Sequence, residues 1–172
     1  MSQIDTLRKI ALSREIDQQL DAIVQVAGSL AAQLQGSSMR ENQLRNVLDV
    51  ALHTESIEVV GNYIRYQIGR GGSWKSGNFG ENVIAALGDS GHVQRVAKKA
   101  ANGALSKLNE AQADNKLGKE ALPELAKLER EARVQLTRLF LGYLNRWFLY
   151  ADREKAWDKI GPMVKIEEEA SA

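Results

Sequence analysis

Arg65, Arg70, Trp74 and Lys75 lie close together in the stretch 57–80, IEVVGNYIRYQIGRGGSWKSGNFG. Cations neutralise phosphates and aromatic faces accept stacked bases, so these residue types suit single-stranded nucleic acid. That chemistry is binding, not bond-making. The plainer alternative is that Trp74 and Phe79 fold back over the core while the charges keep the segment solvated. Composition leaves both open. Arg95, Lys98 and Lys99 form a second basic group, read either as further phosphate contacts or as a solvated helix face.

Other chemistries find little support. His53 and His92 stand alone, without the spacing of a helical two-His metal motif, and read as loop or cap residues. Glu167, Glu168 and Glu169 read as a solvated tail rather than a carboxylate pair for acid–base work. A phosphate-binding loop needs Gly directly before Lys-Ser, but Trp74 precedes Lys75-Ser76 and no strand feeds the segment. No catalytic residue, metal site or cofactor is expected.

The elements that must position these residues are helical. Ile16, Leu20, Ile23, Val24, Ala27, Leu30, Ala31 and Leu34 make one stripe within 3–35 at helical spacing. Ser13 is placed to cap a break from the earlier stripe of Ile4, Leu7 and Ile10. After Gly36-Ser37-Ser38, Ser38 and Glu41 have capping-box spacing, and Leu44, Val47, Leu48, Ala51 and Leu52 face inward on a short helix. The next helix spans about 55–68, with Ile57, Val60, Ile64 and Ile68 on its core face. Val59, Tyr63, Tyr66 and Arg70 lie on a second face. A helix apolar on two sides is central or buries its second side on a partner.

Five glycines make 69–80 a loop that holds neither helix nor strand for long. A brief helix at 81–87 precedes one at 91–108, capped by Ser90 and lined by Val93, Val96, Ala97, Ala100, Ala104 and Leu108. A polar connection at 109–122 leads to Pro123, a suitable first residue for the longest helix, 123–158. Beyond Leu139 that helix is apolar on nearly all sides. Its 139–150 region is either the buried centre of the bundle or part of an interface between subunits. Arg138, Asn145 and Arg146 among the aromatics favour the interface. Tyr63, Tyr66, Arg138, Leu141 and Phe148 are its candidate residues. Gly161-Pro162 stops the helix, and 161–172 is expected to be a flexible tail.

No strand pattern, repeat or domain linker interrupts this order. The expectation is an all-α fold, one single-domain bundle of five or six helices over 1–172. A chain of 172 residues, 44% hydrophobic and 26% charged, is long enough to bury its own core. The absence of cysteine excludes disulfides and thiolate chemistry and fits a reducing cytoplasm. No signal peptide or membrane-spanning run is read. The net charge of +1 is low for binding nucleic acid by bulk charge, so a local basic face is required.

Two segments together resemble a known family. Gln43-Leu44-Arg45-Asn46-Val47-Leu48, followed by Asn62-Tyr63-Ile64-Arg65-Tyr66-Gln67-Ile68-Gly69-Arg70, is similar to the small helical subunit of Csm-type (type III) CRISPR effector complexes. Members carry a Gln-Leu-Arg helix, then a Tyr-hydrophobic-Arg helix ending in a Gln-x-Gly-Arg-like turn. Leu139-Phe140-Leu141-Gly142-Tyr143-Leu144 is similar to the family's last helix. The long N-terminal helix, the 71–90 insert and the 109–122 connection are larger than in the family, as in a divergent member. The resemblance implies a cytoplasmic, non-catalytic subunit that self-associates in a stack beside guide RNA and single-stranded target RNA, alongside larger effector subunits. It also implies that Arg45, Arg65 and Arg70 support the fold or touch the RNA backbone. The alternative from another class is a helical adaptor or scaffolding protein that binds protein only.

Overall fold

The run Leu128, Ala132, Leu136, Phe140, Leu144 and Phe148 recurs every four residues, a stripe that winds slowly around a helix, and each is at most 3% exposed. These residues belong to the longest helix of the computed structural model, which describes residues 3–114 and 121–160. The helices in chain order are α1 (Gln3–Asp17), α2 (Leu20–Ala32), α3 (Glu41–Leu52), α4 (Ile57–Arg70), α5 (Phe79–Leu87), α6 (His92–Ala113), α7 (Leu125–Glu154) and the single turn α8 (Trp157–Ile160). A 3-10 segment, Gly72–Asn78, joins α4 to α5. No strand forms among the described residues, and the architecture is an all-α bundle. No helix among them is long and apolar enough to cross a membrane.

Helix α7 is the axis of the bundle. It packs against α6, α2 and α3, while α1 lies chiefly on α6. Helix α4 packs instead on α3, α5 and the 3-10 segment, which makes it a peripheral element.

Several boundaries differ from the sequence expectation. The 3–35 stretch breaks at Gln18–Gln19 rather than at Ser13, where Gln19 N–H bonds the Ile16 carbonyl at 2.8 Å. The kink lets α1 cover α6 while α2 covers α7, although the apolar stripe stays in phase through it. Helix α3 is not capped by Ser38. Its N-cap is Arg40, whose backbone N–H donates to Gln43 Oε1 at 3.0 Å. Ser38 Oγ instead meets Ser73 Oγ at 2.9 Å, tying the α2–α3 connection to the 3-10 segment. Pro123 precedes α7, and Glu124 is its N-cap. That helix ends at Glu154 because Lys155 turns left-handed, and α8 folds back to set Trp157 edge-on to Phe148 at 6.1 Å. The stop at Gly161-Pro162, the tail 161–172 and part of the 109–122 connection lie outside the described residues.

The largest correction concerns 69–80. Gly69 and Arg70 continue α4, and 72–78 is an ordered turn. Gly71 at φ 87° and Gly72 at φ 71° take the left-handed bend that a side chain resists. Trp74 and Phe79, 2% and 0% exposed, pack with ring centroids 5.5 Å apart and pin the segment to the core. Burial of two aromatic rings outweighs the ordering cost of the glycines.

Candidate nucleic-acid interface

The first turn of α3 and the last two turns of α4 face one another across a groove of about 470 Å³. Helix α3 contributes Arg40, Asn42, Gln43 and Asn46. Helix α4 contributes Tyr63, Gln67 and Arg70, and the groove is closed by Ser38 and the segment Gly71–Trp74. No carboxylate is among these lining residues. The partial positive charge of the α3 N-terminus adds to the two guanidinium groups.

The donors outnumber what the protein itself satisfies. Trp74 lines the closed side of the groove, but its Nε1 is buried without a hydrogen-bond partner and is closed to an occupant. Arg40 and Arg70 are both exposed. Arg70 stacks its guanidinium 5.6 Å from the centre of the Tyr66 ring, and the Tyr63 and Tyr66 rings are 6.3 Å apart. An acceptor-rich, anionic chain with flat bases matches this arrangement.

The structure brings together only some of the residues expected to bind nucleic acid. Arg70 is in the groove. Arg45 is on α3 but outside it, held to Glu41 at 2.6 Å, while Arg153 of α7 reaches the same carboxylate at 3.1 Å. Arg65 is exposed and pairs loosely with Glu58 at 3.8 Å. Lys75 is exposed on the 3-10 segment. Trp74 is a correction: its ring faces are packed in the core, so they offer no platform for a base, and Tyr66 at 57% exposure is the available aromatic. Arg95 and Lys99 belong to a different groove, between α2 and α6, with no lining residue in common with the first. Arg95 is also engaged, donating to the Ser90 carbonyl at 2.6 Å and to His92 Nδ1 at 2.9 Å. Lys98 is exposed on the same helix.

Three of the five expected interface residues are internal, and here too the expectation is corrected. Leu141 and Phe148 are 2% and 3% exposed, because α2, α3, α6 and α8 surround α7. Arg138 is half-buried and donates to the Ala51 and Thr54 carbonyls at 2.9 and 3.1 Å, capping the C-terminal end of α3 from across the bundle. Tyr63 is half-buried in the groove, and Tyr66 alone is well exposed. The histidines take local roles: His53 Nδ1 bonds the Asp49 carbonyl at 2.7 Å, and His92 begins α6. Among the described residues, no group of three or more His, Asp or Glu is placed to hold a metal ion.

Sequence reasoning missed Arg40, Asn42, Asn46 and Gln67. The capping spacing did mark a helix start near Arg40, but arginine is not a preferred cap and drew no attention. No protein-family model, no curated protein and no solved structure matches this chain.

Proposed function

We propose that this chain is a non-catalytic small subunit of an RNA-guided type III CRISPR interference complex in the cytoplasm, divergent within its family, stacking with further copies and with larger subunits. In this reading the α3–α4 groove holds the backbone of guide or single-stranded target RNA. One observation carries it. The two segments that resemble the family, 43–48 and 62–70, supply Gln43, Asn46, Tyr63, Gln67 and Arg70 to one groove that has two arginines and no carboxylate. Phosphates seat on Arg40 and Arg70 and the α3 N-terminus. Amide side chains reach sugar and base edges, and Tyr66 offers a stacking face.

The test is retention of a single-stranded RNA oligonucleotide by the double variant Arg40→Ala/Arg70→Ala. Affinity is expected to fall at least about tenfold, and the salt slope by about 1.4, two contacts at about 0.7 each for single strands. Unchanged affinity and slope would sink the reading. That result favours the adaptor alternative, for which the exposed Val59 and Tyr66, at 49% and 57%, are the supporting observation.

A further inference from the structure

The groove between α2 and α6 has a volume of about 270 Å³ and combines two chemistries. Ala22, Ile23 and Val26 of α2 and Val96 of α6 give it an aliphatic lining, and Arg95 and Lys99 of α6 bring two cations. No carboxylate and no Trp, Tyr or Phe is among the lining residues. Asp21, the one acidic residue of α2, turns away from Ile23 and Val26 at about 100° per residue. Lys99 forms no ion pair or side-chain hydrogen bond among the described residues. Arg95 donates to the Ser90 carbonyl and His92 Nδ1 rather than to a carboxylate. The helix adds charge of the same sign, since the first turn of α6 has no acidic residue and its N-cap, Gly91, has no side chain.

An aliphatic strip beside unmatched cations fits a peptide that is apolar and then acidic. A phosphate chain would find the cations but no ring on which to stack its bases. A neutral apolar peptide would cover the cations without pairing them. The chain itself carries a segment of the required kind. Residues 161–172 read GPMVKIEEEASA, in which Met163, Val164 and Ile166 come before Glu167, Glu168 and Glu169. The segment also starts in the right place. It follows Ile160, which is wholly buried at the end of α8, and α8 packs on α2 itself. Helix α2 has 13 residues and is about 20 Å long, and the stretch from Ile160 to Ile166 can extend about 20 Å. Every turn of α2 is therefore within its reach. So short a tether gives an effective concentration in the millimolar range, and an intrinsic Kd near about 1 mM is enough to fill the groove in about half of the molecules.

We propose that residues 161–172 of the same chain occupy the α2–α6 groove, with Met163, Val164 and Ile166 on its aliphatic lining and Glu167, Glu168 and Glu169 along Arg95 and Lys99. The proposal does not depend on the RNA-binding reading of the α3–α4 groove. The segment neutralises the basic group of α6 from within the chain, so a polyanion meets less positive charge there.

The sequence has no cysteine, so Ser171→Cys gives the full chain a single attachment point for a nitroxide. The readout is paramagnetic broadening of amide signals in the chain labelled with nitrogen-15. Signals of 19–26 and 92–99 are expected to broaden, and those of 57–70 to stay sharp. Glu167→Lys/Glu168→Lys/Glu169→Lys is expected to weaken docking about tenfold, which lowers the filled fraction from about half to about a tenth. Val164→Asp/Ile166→Asp is expected to do the same through lost apolar burial. Both variants leave every described residue in place, so a loss of fold cannot imitate a loss of docking. Arg95→Glu/Lys99→Glu, added to the triple-lysine chain, is expected to bring the broadening back. Broadening of 19–26 and 92–99 no greater than that of 57–70 overturns the proposal, and so does broadening that survives both variants. A mixture of nitroxide-free labelled chain and nitroxide-bearing unlabelled chain is expected to show none. Equal broadening in that mixture would place the segment on a neighbouring copy and overturn the proposal. Shifts at 92–99 with hexauridylate, without broadening from the nitroxide, would overturn it in favour of nucleic acid.

Discussion

The two ends of α4 are built from similar parts and differ in what they leave unsatisfied. Each is a groove of about 440 to 470 Å³, the first walled by α3 and α4 and the second by α4, α6 and α7. At the C-terminal end the lining has two arginines, no carboxylate and an unpartnered indole N–H. At the N-terminal end it has four carboxylates, two arginines and an unpartnered amide oxygen. Part of this follows from helix electrostatics alone, since Glu58 in the first turn and Arg70 in the last both complement the macrodipole. The dipole does not account for the buried orphans.

That comparison can be broken at three places. The largest effect is expected at Arg138, which fixes the Ala51–Thr54 turn from which α4 departs. Arg138→Ala loses two charge-assisted bonds to carbonyl oxygens and is expected to cost about 2–3 kcal/mol in urea unfolding. Its association state should not change, since the side chain is spent inside the protein. A variant of full stability with altered self-association would restore Arg138 to an interface. Next is Gly80, where an added Cβ would lie 2.6 Å from Ile68 Cγ1 and 2.9 Å from the Trp74 carbonyl oxygen. Gly80→Ala is expected to push α5 off α4, cost about 2 kcal/mol in urea unfolding, and weaken RNA at the C-terminal groove. Unchanged RNA affinity beside that loss of stability would mean the groove does not depend on how α5 seats against α4. The smallest effect is expected from Trp74→Phe. It keeps a ring on Phe79 and deletes only the orphan donor, so stability should hold or rise by up to about 1 kcal/mol. RNA affinity should be unchanged, since that N–H is closed to the groove. A loss of RNA affinity would mean that the groove depends on how the Trp74 ring seats the segment 71–74.

How much of this was legible before the structure varies with the range of the interaction that decides it. The helical class is carried by local periodicity, and Leu128, Leu136 and Phe140 show it without any tertiary knowledge. The break at Gln18–Gln19 left no such trace, because the apolar stripe runs through it in phase. Trp74 was undecidable in sequence, since the same residue types serve a stacking platform and a core plug. Only the Phe79 contact separates them. Arg138 was read as an interface residue because its carbonyl partners lie 84 and 87 positions away in the chain. Arg70 was found, but its neighbour Arg40 belongs to another helix, and only packing makes them a pair.

The peripheral packing of α4 has a further consequence. Helix α4 and the 3-10 segment rest on α3 and α5 and not chiefly on α7, and the Ser38–Ser73 hydroxyl pair is their tie to the α2–α3 connection. The strip 57–78 can therefore detach as a cooperative unit at lower free energy than the core. Its amides should exchange with solvent ahead of those of α7, and an occupant of the α3–α4 groove should slow that exchange along the whole strip. The far end of α4 would then report, through its opening equilibrium, on what the groove has bound.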